Sequence, residues 1–358
     1  MNRKHNPGPA GAGTDVHRDC RWISGYRETA VGPVPVVKTV LTVSDRWGAF
    51  LVRLGINRNG YRVKPGLYAV GTPGEDADVF VSANYKLSFD KLRDGLAGHD
   101  AWILVLDTKG INVWCAAGKG TFGTQELAQR IEAVRLSQAV RHKKVILPQL
   151  GATGVSAHLV KKQTGFRVVY GPVHSRDIRD FIAAGYKKSR EMRTMNFPLT
   201  ERLVLAPVEF VHALLPGVII LGIMAGLHLL RFHTLDWGLS VEYLPFAGAI
   251  IAGTLLFPAL LPLLPFRSFA LKGTVLGLIW AVGISFFPAF TIVTMIAHIL
   301  LLTPLTAFFA LNFTGSSTYT SLAGVKLEVK TALPLFTGAI IAGTAVKLLS
   351  YFGVIGGI

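Results

Sequence analysis

The chain has 358 residues, 51% of them hydrophobic and only 16% charged, a balance too apolar for an ordinary soluble protein and one that implies a membrane portion. Lysine and arginine outnumber aspartate and glutamate by 37 to 21, a net charge of +16. No stripe of interleaved aromatic and basic residues accompanies that charge, so no nucleic acid partner is expected, and basic clusters beside apolar spans point to membrane orientation.

Residues 1–34 read as a flexible N-terminus, because Asn6-Pro7-Gly8-Pro9-Ala10-Gly11-Ala12-Gly13 is rich in proline and glycine. Met1 to Cys20 holds no apolar run of the kind a signal peptide needs. From about residue 65 to 195, apolar runs alternate with helical patterns. Strands are predicted at Leu67–Val70, Val79–Ser82, Trp102–Asp107, Val145–Leu147 and Phe166–Tyr170, and helices at Ser88–Ala97, Gln125–Val140, Val155–Gln163 and Ile178–Ala184. Thr124 is placed to cap the second of these helices, with Glu126 in its first turn. The alternation predicts an α/β Rossmann-like domain over 35–195 with mainly parallel pairing.

The stretch Asn112-Val113-Trp114-Cys115-Ala116-Ala117-Gly118-Lys119 follows the Trp102–Asp107 strand, and open α/β sheets bind ligands beyond the carboxyl ends of their strands. Asn112 is a good N-cap and Gly118 a good residue to end the helix, leaving barely more than one turn with Cys115 about third in it. A helix N-terminus and the nearby Lys119 favour thiolate at Cys115. Ala116, Ala117 and Gly118 are expected to leave a bare helical face against which a broad flat ligand can lie, which makes Cys115 the candidate metal ligand. The glycine-rich loops at Gly151, Thr153 and Gly154 and at Gly171 and Pro172 follow strands. Each is open to two readings, a backbone approach to a nucleotide-like tail or an ordinary tight turn.

Lys187, Lys188, Arg190, Arg193 and Arg202 precede a long apolar region, read as an all-α transmembrane domain (196–358) of about five helices, near 207–230, 243–264, 271–287, 289–311 and 332–355. The third, at roughly 17 residues or about 26 Å, is near the lower limit for spanning. Alternation of basic and base-poor connections places the Cys115 domain in the cytoplasm. Gly248-Ala249-Ile250-Ile251-Ala252-Gly253-Thr254 recurs as Gly338-Ala339-Ile340-Ile341-Ala342-Gly343-Thr344. Small residues at this spacing favour close helix packing, and the sharper reading is an inverted repeat of transporter type, with His212, His228, His298 and Lys347 as intramembrane candidates.

The run Asn112 to Lys119, continuing into Gly120-Thr121-Phe122-Gly123-Thr124, resembles the cap-helix signature of the membrane-bound corrinoid proteins of anaerobic mercury methylation. Their soluble relative is the large subunit of the corrinoid iron-sulfur protein. The resemblance extends over about residues 35–350, and the hydroxyl-rich connection Asn312 to Leu322 is similar to a segment near the C-terminus of the soluble relative. It implies a cobalamin-type corrinoid whose cobalt takes Cys115 as lower axial ligand, with Asn112 to Lys119, Gly151, Thr153, Gly154, Gly171 and Pro172 around the cofactor. By contrast, Asp15-Val16-His17-Arg18-Asp19-Cys20 only begins like the Asp-x-His-x-x-Gly motif of many cobalamin proteins; the glycine is absent and it is read as coincidence.

The resemblance further implies a corrinoid-dependent methyltransferase that passes a methyl group from a methyltetrahydrofolate-type donor, via cobalt, to Hg(II). It also implies a ferredoxin-like Fe–S protein as electron donor and a multi-pass place in a bacterial or archaeal cytoplasmic membrane. With only Cys20 and Cys115, no Fe–S cluster held by four cysteines is expected in this chain alone. The competing readings are a membrane transport or sensing protein whose corrinoid domain does not turn over, and corrinoid methyl transfer to another acceptor.

Overall fold

The computed structural model describes residues 21–58, 60–316 and 322–355. Cys20, the Asp15 to Cys20 stretch and the middle of the Asn312 to Leu322 connection lie outside the described residues. Two compact units emerge, one within Met1–Val52 and Asn57–Met195, the other within Arg53–Ile56 and Asn196–Ile358.

The first unit holds a seven-stranded sheet in the order β1-β2-β3-β5-β4-β6-β7, with strands β1 Ile23–Arg27, β2 Val34–Val37, β3 Gly66–Val70, β4 Val79–Ala83, β5 Ala101–Leu106, β6 Lys144–Leu147 and β7 Arg167–Tyr170. The block β5-β4-β6-β7 is parallel throughout. β3 runs antiparallel to β5, and β1 and β2 form an antiparallel pair at the far edge, so the sheet is mixed. Every residue of β4 and β5 is buried, as expected for strands covered on both faces, and this explains why β5 is apolar throughout and β4 apolar but for Ser82.

Strand alternation divides the core in two. Val79, Val81, Trp102, Leu104 and Leu106 face one layer, built with Leu127, Ile131 and Val160. Phe80, Ile103 and Val105 face the other, built with Phe89, Leu92, Ile178 and Phe181. The helices are α1 Val43–Arg53, α2 Lys86–Gly95, α3 Val113–Lys119, α4 Thr124–Ala133, α5 Leu136–Ala139, α6 Ala157–Thr164 and α7 Ile178–Ala183.

Three expectations change here. The flexible assignment of residues 1–34 fails over its last part, because Val34 and Trp22 are core residues and the β1–β2 pair adds to the sheet edge. The single helix Gln125–Val140 breaks at Arg135, whose φ of 51° turns the chain so that Leu136 and Ala139 are buried. Gly123, not Thr124, precedes α4; the Thr124 hydroxyl instead accepts the Ser156 amide at 2.8 Å, while Glu126 does lie in the first turn of α4.

The second unit is helical: α8 Leu199–Phe232, α9 Trp237–Ile251, a π turn Ala252–Leu256, α10 Phe257–Leu260, α11 Phe269–Ser285, α12 Ile292–Asn312 and α13 Leu322–Tyr351. Four spans (Leu199–Phe232, Trp237–Leu260, Ile292–Gly315 and Gly324–Tyr351) are long and apolar enough to cross a membrane, and Phe269–Ser285 is a shorter apolar helix. The repeated phrase adopts two local structures, since its first copy widens into the π turn while its second stays α-helical. Its glycines serve packing: an added Cβ would meet Trp280 at Gly248, Thr306 and Phe309 at Gly253, and Leu300 and Leu301 at Gly343, whereas Gly338 has open space. Of the intramembrane candidates, His298 is fully buried beside the Ser285 hydroxyl at 3.1 Å and His228 lies 3.2 Å from Asp236. His212 is exposed and Lys347 is partly exposed.

Candidate functional site

α3 begins where β5 ends, at the carboxyl edge of the parallel block. Between them, the buried side chain of Asn84, one residue past β4, organises the turn. Its Oδ1 accepts the Thr108 amide at 3.1 Å, the Thr108 hydroxyl at 2.9 Å and the Gly110 amide at 2.9 Å, and its Nδ2 donates to Asp107 at 3.2 Å. The Thr108 hydroxyl also approaches the Ile111 carbonyl at 2.7 Å, and Glu126 accepts the Asp107 amide at 2.8 Å. Burial pushes the Asp107 carboxyl up, but hydrogen bonds from the Lys109 side chain and amide outweigh it and hold Asp107 below its ordinary range. Asn84 carried no motif, so sequence reasoning missed it; an Asn directly after a buried, mostly apolar strand was the available signal.

Asn112 is the N-cap expected for α3, and its Oδ1 accepts the Cys115 amide at 2.9 Å. The helix is longer than expected. It runs through Lys119, and Gly120, at φ 81° and ψ 0°, ends it in the left-handed conformation, so Gly118 is a helical residue and not the terminator. Cys115 is the third residue of this helix.

The two faces of α3 are distinct. Val113, Ala116 and Ala117 are buried in the core, whereas Trp114 and Cys115 are half-buried and Gly118 and Lys119 are exposed. At 3.6 residues per turn, Trp114, Cys115, Gly118 and Lys119 share the outward side. This corrects the expectation that Ala116 and Ala117 form the bare ligand-facing surface: Ala116 is 0% exposed, and their smallness lets the loop after β6 come close. A Cβ on Gly154 would fall 2.9 Å from the Ala117 Cα and 2.2 Å from the Phe122 carbonyl oxygen, and one on Gly151 would fall 2.5 Å from the Phe122 ring. Gly151 and Gly154 therefore serve close packing of the loop on α3 and Phe122. On the outward side, the small residue beside Cys115 is Gly118.

The remaining expected residues divide between surface and interior. Thr153 is exposed; Gly171 and Pro172 are buried, with the Gly171 amide donating to the Leu147 carbonyl at 2.7 Å and the Pro172 carbonyl accepting the Gln149 amide at 3.3 Å. The Tyr170 hydroxyl donates to the Val155 carbonyl at 2.7 Å, tying β7 to the loop that holds Gly151 and Gly154. Of the basic run, Lys188 donates to Gln149, and Arg202 is buried with its guanidinium on the Pro258 and Ala259 carbonyls at 2.7 and 2.6 Å. Neither is a free surface charge. Among the described residues no group of three or more His, Cys, Asp or Glu is gathered that could hold a metal ion, and Cys115 is a free thiol.

Residues 56–182, which contain α3 and the loops around it, match the family described as CO dehydrogenase/acetyl-CoA synthase delta subunit. The acetyl-CoA decarbonylase/synthase complex subunit gamma of Archaeoglobus fulgidus is 31% identical over 127 residues, covering 35% of this chain and 27% of that protein. The same subunit of Methanopyrus kandleri is 30% identical over 127 residues, again 35% and 27% of the two chains. The corrinoid/iron-sulfur protein large subunit of Moorella thermoacetica is 27% identical over 125 residues, 34% of this chain and 28% of that one. The match thus spans about a quarter of these relatives, as the 27% and 28% figures show. Residues 56–182 are thus similar in sequence to subunits of acetyl-CoA decarbonylase/synthase complexes and to the large subunit of a corrinoid/iron-sulfur protein.

Proposed function

We propose that the chain is a corrinoid-dependent methyltransferase that takes a methyl group from a methyltetrahydrofolate-type donor and delivers it to Hg(II), with Cys115 as the protein's ligand to the cobalt. The observation that carries this reading is the position of the Cys115 thiol, on the outward side of α3 at the carboxyl edge of the parallel strands. Its donor set also fits. A bare metal ion at Cys115 would find one thiol and no gathered carboxylates or imidazoles among the described residues, whereas a metal already enclosed by a macrocycle would ask little more of the protein than one such donor. When bound, the corrinoid would supply a cobalt centre able to accept a methyl group and release it to a soft electrophile.

The chain's own residues bind and orient. The Asn112 side chain holds the Cys115 amide, and Asn84 and Thr108 hold the turn that aims α3. Trp114 and Lys119 would border the cofactor, and the flat spot at Gly118 would let a ring approach the thiol. The Cys115 sulfur would be the electron-rich protein donor to the bound metal, by analogy with thiolate ligation at haem, and the corrinoid would supply the chemistry that passes a methyl group to Hg(II). The mercury assignment rests on the resemblance of the run Asn112 to Lys119 to the cap-helix signature of the corrinoid proteins of mercury methylation. A ferredoxin-like Fe–S protein would supply electrons, and the four apolar spans, with the basic residues before α8, support a multi-pass cytoplasmic membrane protein with the α/β unit inside.

The test is anaerobic methylmercury formation in cells that express the chain or Cys115→Ala at matched protein levels, together with its electron-donor partner. The reading expects production with the native chain and none with Cys115→Ala. Methylmercury at the native level from Cys115→Ala would overturn the role of the thiol. Methyl transfer to another acceptor, with none to Hg(II), would overturn the choice of substrate.

A further inference from the structure

α1 is built inside out. Its residues Asp45, Gly48 and Val52 fall on the inward side: Asp45 and Val52 are buried, and a Cβ on Gly48 would come 2.7 Å from the Tyr61 hydroxyl. The carboxylate of Asp45 is held by Lys86 at 2.7 Å and Arg93 at 2.8 Å, with Asp90 bridging both cations. On the opposite side, Val43, Trp47 and Phe50 recur at i, i+4 and i+7, one helical face, and are 85%, 60% and 48% exposed. The Trp47 and Phe50 rings stack with centroids 5.4 Å apart. Val40, just before α1 in the chain, is also 74% exposed. Elsewhere in the α/β unit, large exposed apolar side chains such as Tyr26 and Leu159 stand singly, which is ordinary.

We propose that this face of α1 lies in the interface of an anionic membrane, docking the α/β unit onto the bilayer. Two further observations select lipid as the occupant. In the sequence that holds the patch, from 38 to 64, Lys38, Arg46, Arg53, Arg58, Arg62 and Lys64 are basic, and the one acidic residue, Asp45, is consumed by its buried ion pairs. Arg46 and Arg53 lie together along one side of the apolar stripe, so that with the stripe in the interface tryptophan sits at the headgroup level and these guanidinium groups reach the phosphates. The chain leaving α1, Arg53–Ile56, also belongs to the helical unit, where Gly55 lies against Val208 and His212 of the apolar span α8, a Cβ there being 3.6 Å from each. The proposal rests on α8 crossing the membrane and is otherwise independent of the corrinoid reading.

The test uses the full chain in vesicles of phosphatidylcholine with a minority of phosphatidylglycerol. Nitroxide labels are placed one at a time at Val43→Cys, Phe50→Cys, Leu221→Cys on α8 and Glu132→Cys on the exposed side of α4, in a Cys20→Ser, Cys115→Ser background. Circular dichroism matching the unlabelled chain selects variants that retain the fold. The expected result is loss of line broadening by a water-soluble nickel chelate at 43, 50 and 221, with broadening by oxygen retained, and full nickel access at 132. Nickel access at 43 and 50 equal to that at 132 would overturn the proposal, as would label-to-label broadening that fades on dilution with unlabelled chain, which would assign the face to a second copy. Protection that appears only when an Fe–S protein is added would overturn it in favour of a protein partner. Nickel access at 221 would remove the spanning premise, a failure distinct from that of α1 alone.

Discussion

Gly154 lies against Ala117 so closely that a Cβ on the glycine would stand 2.9 Å from the Ala117 Cα. The loop after β6 is therefore a buttress for the helix that carries Cys115, and the buried side of α3 is fixed by packing while its outward side stays open. Gly154→Ala should destabilise the α/β unit by about 1–3 kcal/mol, the usual range for overpacking, because both contacted atoms are backbone and have little room to yield. Calorimetric melting of the purified chain measures it; an unchanged transition would show that the loop shifts freely.

The two sides of α3 predict opposite outcomes for small-to-large changes. Ala117→Leu places bulk in the core and should lower stability by about 1–3 kcal/mol. Gly118→Ala adds a methyl on the exposed side, where replacing a helical glycine gains roughly 0.5–1 kcal/mol, and Gly118→Leu should leave the fold intact while cobalamin binding weakens. Parallel thermal melts and cobalamin titrations separate the two, and undiminished binding by Gly118→Leu would mean that the ring does not lie over this side.

Asn112→Ala removes the side chain that accepts the Cys115 amide. Loss of such a cap costs about 0.5–2 kcal/mol, and in a seven-residue helix that should appear as local fraying. Amide hydrogen exchange at Cys115 and Ala116 should accelerate ahead of exchange in β5, whereas uniform protection would show that packing alone holds α3.

The Asp45 cluster predicts an acid response. Burial raises the Asp45 carboxyl, but hydrogen bonds from Lys86 and Thr42 and the charge of Lys86 outweigh it and hold the carboxyl well below the carboxylate range. A depressed folded value means that Asp45 contributes its stabilisation in full above the unfolded value of about 3.9 and loses it as pH falls toward the depressed one. α1 should therefore stay docked through mild acid and loosen below about pH 4. Asp45→Asn should remove that segment of the acid profile; an unchanged profile would show that Asp45 contributes nothing to it.

What was legible in the sequence follows from which signals are local. β4 and β5 were readable as runs of mostly apolar residues, and the Asn112 cap depends on residues within one turn. The orientation of α3 was not readable, because Ala116 and Ala117 look alike whether they face a ligand or a core, and the packing of Gly154, distant in sequence, against Ala117 decides it. α1 was missed for a related reason. Its apolar stripe, Val43, Trp47 and Phe50, is sparse, and its inward side carries Asp45, whose partners Lys86 and Arg93 lie more than forty residues on. The β1–β2 edge was hidden by proline and glycine at Gly32, Pro33 and Pro35, which suit an edge strand as well as a loop.

The central claim is that the Cys115 thiol is the protein's donor to cobalt. Absorption spectroscopy of the purified full chain reconstituted anaerobically with cobalamin tests it directly, comparing the native chain with Cys115→Ala and Cys20→Ala. The account predicts a thiolate-dependent spectrum in the native chain, preserved in Cys20→Ala and lost in Cys115→Ala while cobalamin remains bound. Identical spectra from the native chain and Cys115→Ala, at equal cobalamin occupancy, would contradict it.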